Sequence, residues 1–196
     1  MNSRFSPDRQ PAGKTVVING LAIALVFCAA MFIHIRIPIA GIGGMIHLGD
    51  LPLFVFALLY GSKTGALAGA LGLTLFDMLS GWVLWAPFTF VIAGAKGYVL
   101  GMAWAGVDGA GVTGAGMTGA GVAEVGMSGA TFRRYWLSVA AAALITVAGY
   151  YLAEAFLYGN WLLPLGSVPV NLLQVAVAAL LAAPIAKRLC KDFVKK

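Results

Sequence analysis

Only 10% of the 196 residues are charged, against 61% hydrophobic, and the mean hydropathy is +0.92. A soluble domain carries roughly 25% charged residues, and 13 Lys+Arg with 7 Asp+Glu are too few to cover such a surface. The composition defines an integral membrane protein and excludes a soluble enzyme, a nucleic-acid-binding module and a disordered tail; the net charge of +6 is dispersed between apolar runs rather than gathered on one face.

A spanning helix needs ~20 mostly apolar residues. Residues 1–14 are polar and read as a tail, so the first apolar run reads as a span rather than a removable signal peptide. That span covers 15–35 and is ended by Arg36 and Pro38. A glycine-containing turn follows over 38–48. The second span, 50–60, is apolar but short, and Gly61-Ser62-Lys63 breaks it. The third covers 64–80. A tight turn over 81–87 leads to the fourth, 88–105. Residues 106–130 repeat GAGVT, GAGMT and GAGVA, too poor in large apolar side chains to fix a packed structure. Glycine also costs about 1 kcal/mol per residue in a helix relative to alanine, so this insert is expected to be a flexible linker. The fifth span is 135–158 and the sixth 164–186, with a basic tail over 189–196. The predicted fold is an all-α, six-helix bundle forming a single membrane domain over 15–188.

Charge fixes the expected orientation. With six spans both termini share a side, which then holds Arg4, Arg9, Lys14, Lys63, Arg133, Arg134, Lys187, Arg188, Lys191, Lys195 and Lys196. The opposite side holds Arg36. Lys and Arg are retained in the cytoplasm, so both termini and the Gly/Ala insert are expected there, in a multi-pass protein of the cell membrane.

Ionisable side chains within a span cost roughly 2.5–3.5 kcal/mol on insertion scales and mark functional sites by default. On this topology Asp50, Asp77, Glu154, Asn171 and Gln174 all lie toward the outer ends of their spans, and Lys96 lies mid-span. In the empty protein Lys96 is expected to pair with Asp77 or Glu154. Trp82 and Trp161 read as interfacial belt, whereas Trp85 sits in a short turn between two polar spans. Together Asp50, Asp77, Trp85, Lys96, Glu154, Asn171 and Gln174 predict one polar, aromatic-edged pocket open to the outside. A through-channel would need polarity in the inner halves as well. Neither Cys28, Cys190, His34 nor His47 has the spacing of a metal site.

Small residues recur every four positions at Gly20, Ala24 and Cys28 in the first span and at Gly61, Gly65 and Gly69 in the third. Such spacing lets another helix backbone approach closely. The third-span set is read as internal packing; for the first, internal packing and a partner helix both stay open. Gly13-Lys14-Thr15 mimics the end of a phosphate loop, but Asp8 stands where a glycine is required. With no ATPase motif and no nucleophile–base pair, the chain is predicted to be no enzyme and to hold no cofactor.

The series His47-Leu48-Gly49-Asp50, Leu58-Leu59-Tyr60-Gly61, Gly65-Ala66-Leu67-Ala68-Gly69, Asp77-Met78-Leu79-Ser80-Gly81, Trp85-Ala86-Pro87-Phe88-Thr89-Phe90 and Lys96-Gly97 resembles the S-components of energy-coupling factor (ECF) transporters. Gly159-Asn160 and Asn171-Leu172-Leu173-Gln174 extend the likeness, which covers roughly 15–105 and 134–188 and is nearest the hydroxymethylpyrimidine-transporter-like branch of the riboflavin-type superfamily. The resemblance implies a subunit that binds a vitamin or its precursor on the outer side. It also implies a transmembrane coupling subunit and two cytoplasmic ATPases that use the ATP, with docking on the first helix at Gly20, Ala24 and Cys28. The long Gly/Ala insert departs from the short loop usual there. Three acids against one base disfavour an anionic ligand, and the polar set disfavours an apolar one. A small neutral or weakly basic heterocycle such as hydroxymethylpyrimidine is expected, with pyridoxine, pantothenate or riboflavin as alternatives. A stand-alone carrier and a non-transport assembly protein are the competing classes.

Overall fold

The computed structural model describes residues 12–37, 44–105 and 129–194. In chain order these form α1 (Ala12–Phe32), the antiparallel strands β1 (His34–Ile37) and β2 (Gly44–His47), α2 (Asp50–Tyr60), α3 (Ser62–Ser80), α4 (Ala86–Ala105), α5 (Gly129–Tyr158), a 3-10 turn (Leu163–Gly166) and α6 (Val168–Val194). The described residues thus contain six α-helices. Three segments, Gly13–Phe32, Phe132–Tyr158 and Leu163–Leu189, are long and apolar enough to cross a membrane. Large apolar side chains cover the outside: Leu144, Phe156 and Leu180 are 70%, 78% and 61% exposed. That surface suits lipid and not water.

The first helix is read differently from its sequence at both ends. It starts at Ala12 and stops at Phe32, because His34 to Ile37 leave the helix to pair with β2, His34 opposite His47 and Ile37 opposite Gly44. The stretch taken as a turn therefore contains a strand, while 38–43 lie outside the described residues. The rings of His34 and His47 both lie against Phe76, at 5.8 and 5.4 Å between centroids, and seat the hairpin on α3. With 11 residues, α2 is about 16 Å long at 1.5 Å per residue, short of a ~30 Å hydrocarbon core.

The long helices also overrun the expected bounds. Helix α5 begins at Gly129 and takes in Arg133 and Arg134; the rest of the Gly/Ala insert, 106–128, lies outside the described residues. Helix α6 continues through Lys187 and Arg188 to Val194, so most of the expected tail is helical. Basic residues end an apolar span, but they favour a helix C-terminus, so span and helix need not stop together.

Packing follows the small residues. On α1, Ala22, Val26 and Ala30 are buried at four-residue spacing, and Val26 fills the space left by Gly72 of α3. Gly20 and Ala24 point away from this contact and are exposed, Cys28 half so. Helices α3 and α4 meet backbone to backbone. A methyl group at Gly65 would lie 2.5 Å from the Gly97 carbonyl oxygen, and one at Gly69 would collide with the carbonyl of Ala93. The third-span glycines are internal packing residues.

Candidate substrate-binding site

The turn between α3 and α4 builds the first wall. Gly81 adopts φ 91°, the left-handed conformation that closes a helix without a Cβ clash, and its N–H bonds the Asp77 carbonyl. Trp82 N–H donates to the same carbonyl at 2.8 Å, and Thr89 N–H donates to the Trp85 carbonyl at 2.9 Å as α4 begins. Asp77, Trp82, Trp85 and Thr89 consequently face one cavity. The two indoles meet edge to face at 4.9 Å, and Tyr158 lies 5.9 Å from Trp85.

The second wall comes from the corner between α5 and α6. Gly159 (φ 62°) ends α5, and Asn160 Oδ1 accepts the N–H groups of Leu162 and Leu163 at 2.8 and 3.2 Å to start the 3-10 turn. Ser167 then donates to Glu154. Ser167, just before α6, and Val170, Asn171 and Gln174 on it are spaced 3, 1 and 3 apart and present one face to the cavity, and Tyr150 and Glu154, one turn apart, present one face of α5. Met45 and His47 of β2 close the third side. The cavity measures about 70 Å³.

Its electrostatics are one-sided. The Thr89 hydroxyl donates to the Asp77 carboxylate. Thr89 Oγ1 also lies 3.2 Å from Tyr150 Oη, a hydrogen bond in which either hydroxyl can donate. Asp77 is only 7% exposed, and among the described residues neither Lys nor Arg lines the cavity. His47 adds no charge, because burial pulls its imidazole from the ordinary 6.5 down to about 4.

Five of the seven residues picked from the sequence, Asp77, Trp85, Glu154, Asn171 and Gln174, meet at this cavity. Asp50 and Lys96 do not line it. They form a buried ion pair at 2.7 Å, each 1% exposed, behind Gln174. The expected pairing of Lys96 with Asp77 or Glu154 is corrected here. Lys96 lies seven residues beyond Thr89, about 10 Å further along α4, out of reach of a carboxylate that Thr89 itself contacts. Sequence reasoning missed Met45, His47, Thr89, Tyr150, Ser167 and Val170 and put Trp82 in the belt. The four-residue spacing of Tyr150 and Glu154 was the available signal for Tyr150.

A helical membrane bundle with a polar cavity gathered at its hairpin end has the form of a small-molecule transport subunit. The chain belongs to the family described as ECF-type riboflavin transporter, S component, which it matches over residues 12–191. It is therefore a cell-membrane protein of a vitamin-uptake family and not an enzyme. It is similar to the thiamine precursor transporter HmpT of Lactococcus lactis subsp. cremoris, 24% identical over 169 residues and 84% of each chain. It is also 39% identical over 67 residues to an uncharacterized protein of Pyrococcus woesei, a match spanning 34% of this chain and 45% of that one.

Proposed function

We propose that this chain is the substrate-binding subunit of an ATP-driven ECF importer and that its substrate is a small, neutral or weakly basic heterocycle, hydroxymethylpyrimidine first among candidates. The observation that carries the reading is Asp77: a buried carboxyl group held by Thr89 on the wall of a cavity that no Lys or Arg lines among the described residues. An anion placed there would meet Asp77 and Glu154 unopposed in a medium of low dielectric. A ring bearing N–H donors would satisfy Asp77, with Asn171 and Gln174 as further partners and Trp82 and Trp85 offering aromatic faces. Size points the same way. A cavity of about 70 Å³ is far below the ~300–1,000 Å³ of drug-sized sites, so a one-ring ligand suits it better than a flavin. The similarity to HmpT, a thiamine precursor transporter, supports this choice.

In this reading the hairpin end faces outward, both termini are cytoplasmic, and Gly20, Ala24 and Cys28 dock a coupling subunit that works with two ATPase subunits. The exposure of Gly20 and Ala24 on the side of α1 away from the bundle supports docking. The direct test is mass spectrometry of small molecules released from the detergent-purified protein. A bound aminopyrimidine is expected. Release of an anionic or flavin-sized compound in stoichiometric amount would overturn the ligand assignment.

A further inference from the structure

The buried pair Asp50–Lys96 continues into a chain of hydrogen bonds that ends on the hairpin. Lys96 Nζ donates to Asp50 Oδ1 at 2.7 Å, Gln174 Nε2 donates to Asp50 Oδ2 at 3.2 Å, and the His47 backbone N–H donates to Gln174 Oε1 at 3.1 Å. Four elements, α2, α4, α6 and β2, are joined by these three bonds. We propose that Lys96 and Asp50 are positioning residues that do not touch the ligand: their ion pair sets the amide of Gln174, and Gln174 in turn holds β2 against the cavity.

The chemistry leaves one orientation for that amide. A backbone N–H only donates and an ionised carboxylate only accepts, so the oxygen of Gln174 must face His47 and its nitrogen must face Asp50. Without Asp50 the terminal torsion of Gln174 is free, since such torsions are broad and roughly two-fold. A flip would exchange donor and acceptor on the cavity wall and detach β2. Stability alone does not account for the pair, because buried ion pairs are often replaceable by apolar residues of similar size without loss. An apolar pair has no acceptor to offer Gln174. Burial of Asp50 and Lys96, at 1% exposure each, keeps water from substituting for that acceptor.

The inference rests on the cavity being the ligand site, and its test has one arm that does not need the ligand. The full chain is purified in detergent as wild type, Lys96→Met, Lys96→Met/Asp50→Asn and Lys96→Met/Asp50→Leu. Hydroxymethylpyrimidine affinity is measured by calorimetry, and backbone amide exchange over residues 44–48 by mass spectrometry. Lys96→Met should weaken binding tenfold or more and raise exchange in β2. Adding Asp50→Asn, which keeps an acceptor for Gln174, should rescue both to within threefold of wild type. Adding Asp50→Leu should rescue neither. Equal rescue by both, or no rescue by Asp50→Asn, overturns the inference. Should the leucine variant fail to fold, Gln174→Leu takes its place: it should raise β2 exchange as Lys96→Met does, and the two together should do no more than one alone. Additive effects count against the linkage. If hydroxymethylpyrimidine does not bind wild type, the ligand assignment fails and the exchange arm still decides the role of the pair.

Discussion

Asp77→Asn is the sharpest perturbation of the cavity because it changes charge and leaves shape. The asparagine oxygen can still accept from Thr89, so the contact that positions the side chain survives, and a neutral amide is cheaper to bury than an ion. Folding should therefore hold, with a thermal midpoint no lower than wild type. Binding should not. A hydrogen bond to a charged group contributes about 1.5–3 kcal/mol, and each 1.4 kcal/mol is about tenfold, so hydroxymethylpyrimidine should bind roughly 10- to 150-fold more weakly. Trp82 and Trp85 line the same cavity, which makes ligand-induced change in tryptophan emission a direct assay, with calorimetry as the check. An Asp77→Asn protein that folds and binds within twofold of wild type would refute the assignment of Asp77 as the ligand's anionic partner.

Further expectations concern partner, packing, protons and topology. Ala24→Leu, on the exposed side of α1, should abolish co-purification with a coupling subunit while ligand binding by the isolated chain persists; equal loss of both would assign Ala24 to internal packing. Gly65→Ala puts a methyl 2.5 Å from the Gly97 carbonyl oxygen and should destabilise by about 1–3 kcal/mol, as overpacking does, whereas Gly20→Ala, with open space around it inside α1, should leave the thermal midpoint unchanged or raise it. His47 is held neutral, its pKa lowered from 6.5 to about 4, so between those values the unfolded chain binds a proton that the folded chain does not. Its contribution is full above about pH 6.5 and is lost as pH falls toward 4, and a pH series of thermal midpoints of wild type against His47→Gln should show the difference narrowing with acidity. Reporter fusions after Lys196 and within the Gly/Ala insert should both read cytoplasmic.

Helix count and the polar end of the bundle were legible because both depend on composition along the chain. Apolar runs and their glycine or basic boundaries mark the helices, and the depth of Asp77, Glu154, Asn171 and Gln174 within those runs collects them at one end. Pairing across space was not legible. Nothing in the spacing of Asp50 and Lys96 distinguishes that partnership from Lys96 with Asp77, since the choice depends on how α2 leans against α4. The hairpin was hidden for a related reason: His34 and Ile35 read as the end of the apolar run that Arg36 closes, and only pairing with Gly44 to His47 makes His34 to Ile37 a strand. Tyr150 and Thr89 carry no charge, so neither stands out in an apolar run until a cavity beside them gives each a direction.

The glycine contacts between α3 and α4 bear on how the cavity can respond to an occupant. Gly65 against Gly97 and Gly69 against Ala93 bring two backbones together with no side chain to re-rotamerise between them, so the pair is expected to move as one stiff body. The wall it carries, Asp77, Trp82, Trp85 and Thr89, is thus a fixed jaw. Adjustment to a larger or differently substituted ring falls to the opposing jaw, where Gly159 and the 3-10 turn join α5 to α6 through a few local hydrogen bonds. If the cavity is the substrate site, changes of substrate preference are expected to be easier to make at Ser167, Val170 and Asn171 than at Asp77 or Thr89, and a panel of ring analogues tested on variants of the two walls would separate the rigid determinants from the adaptable ones.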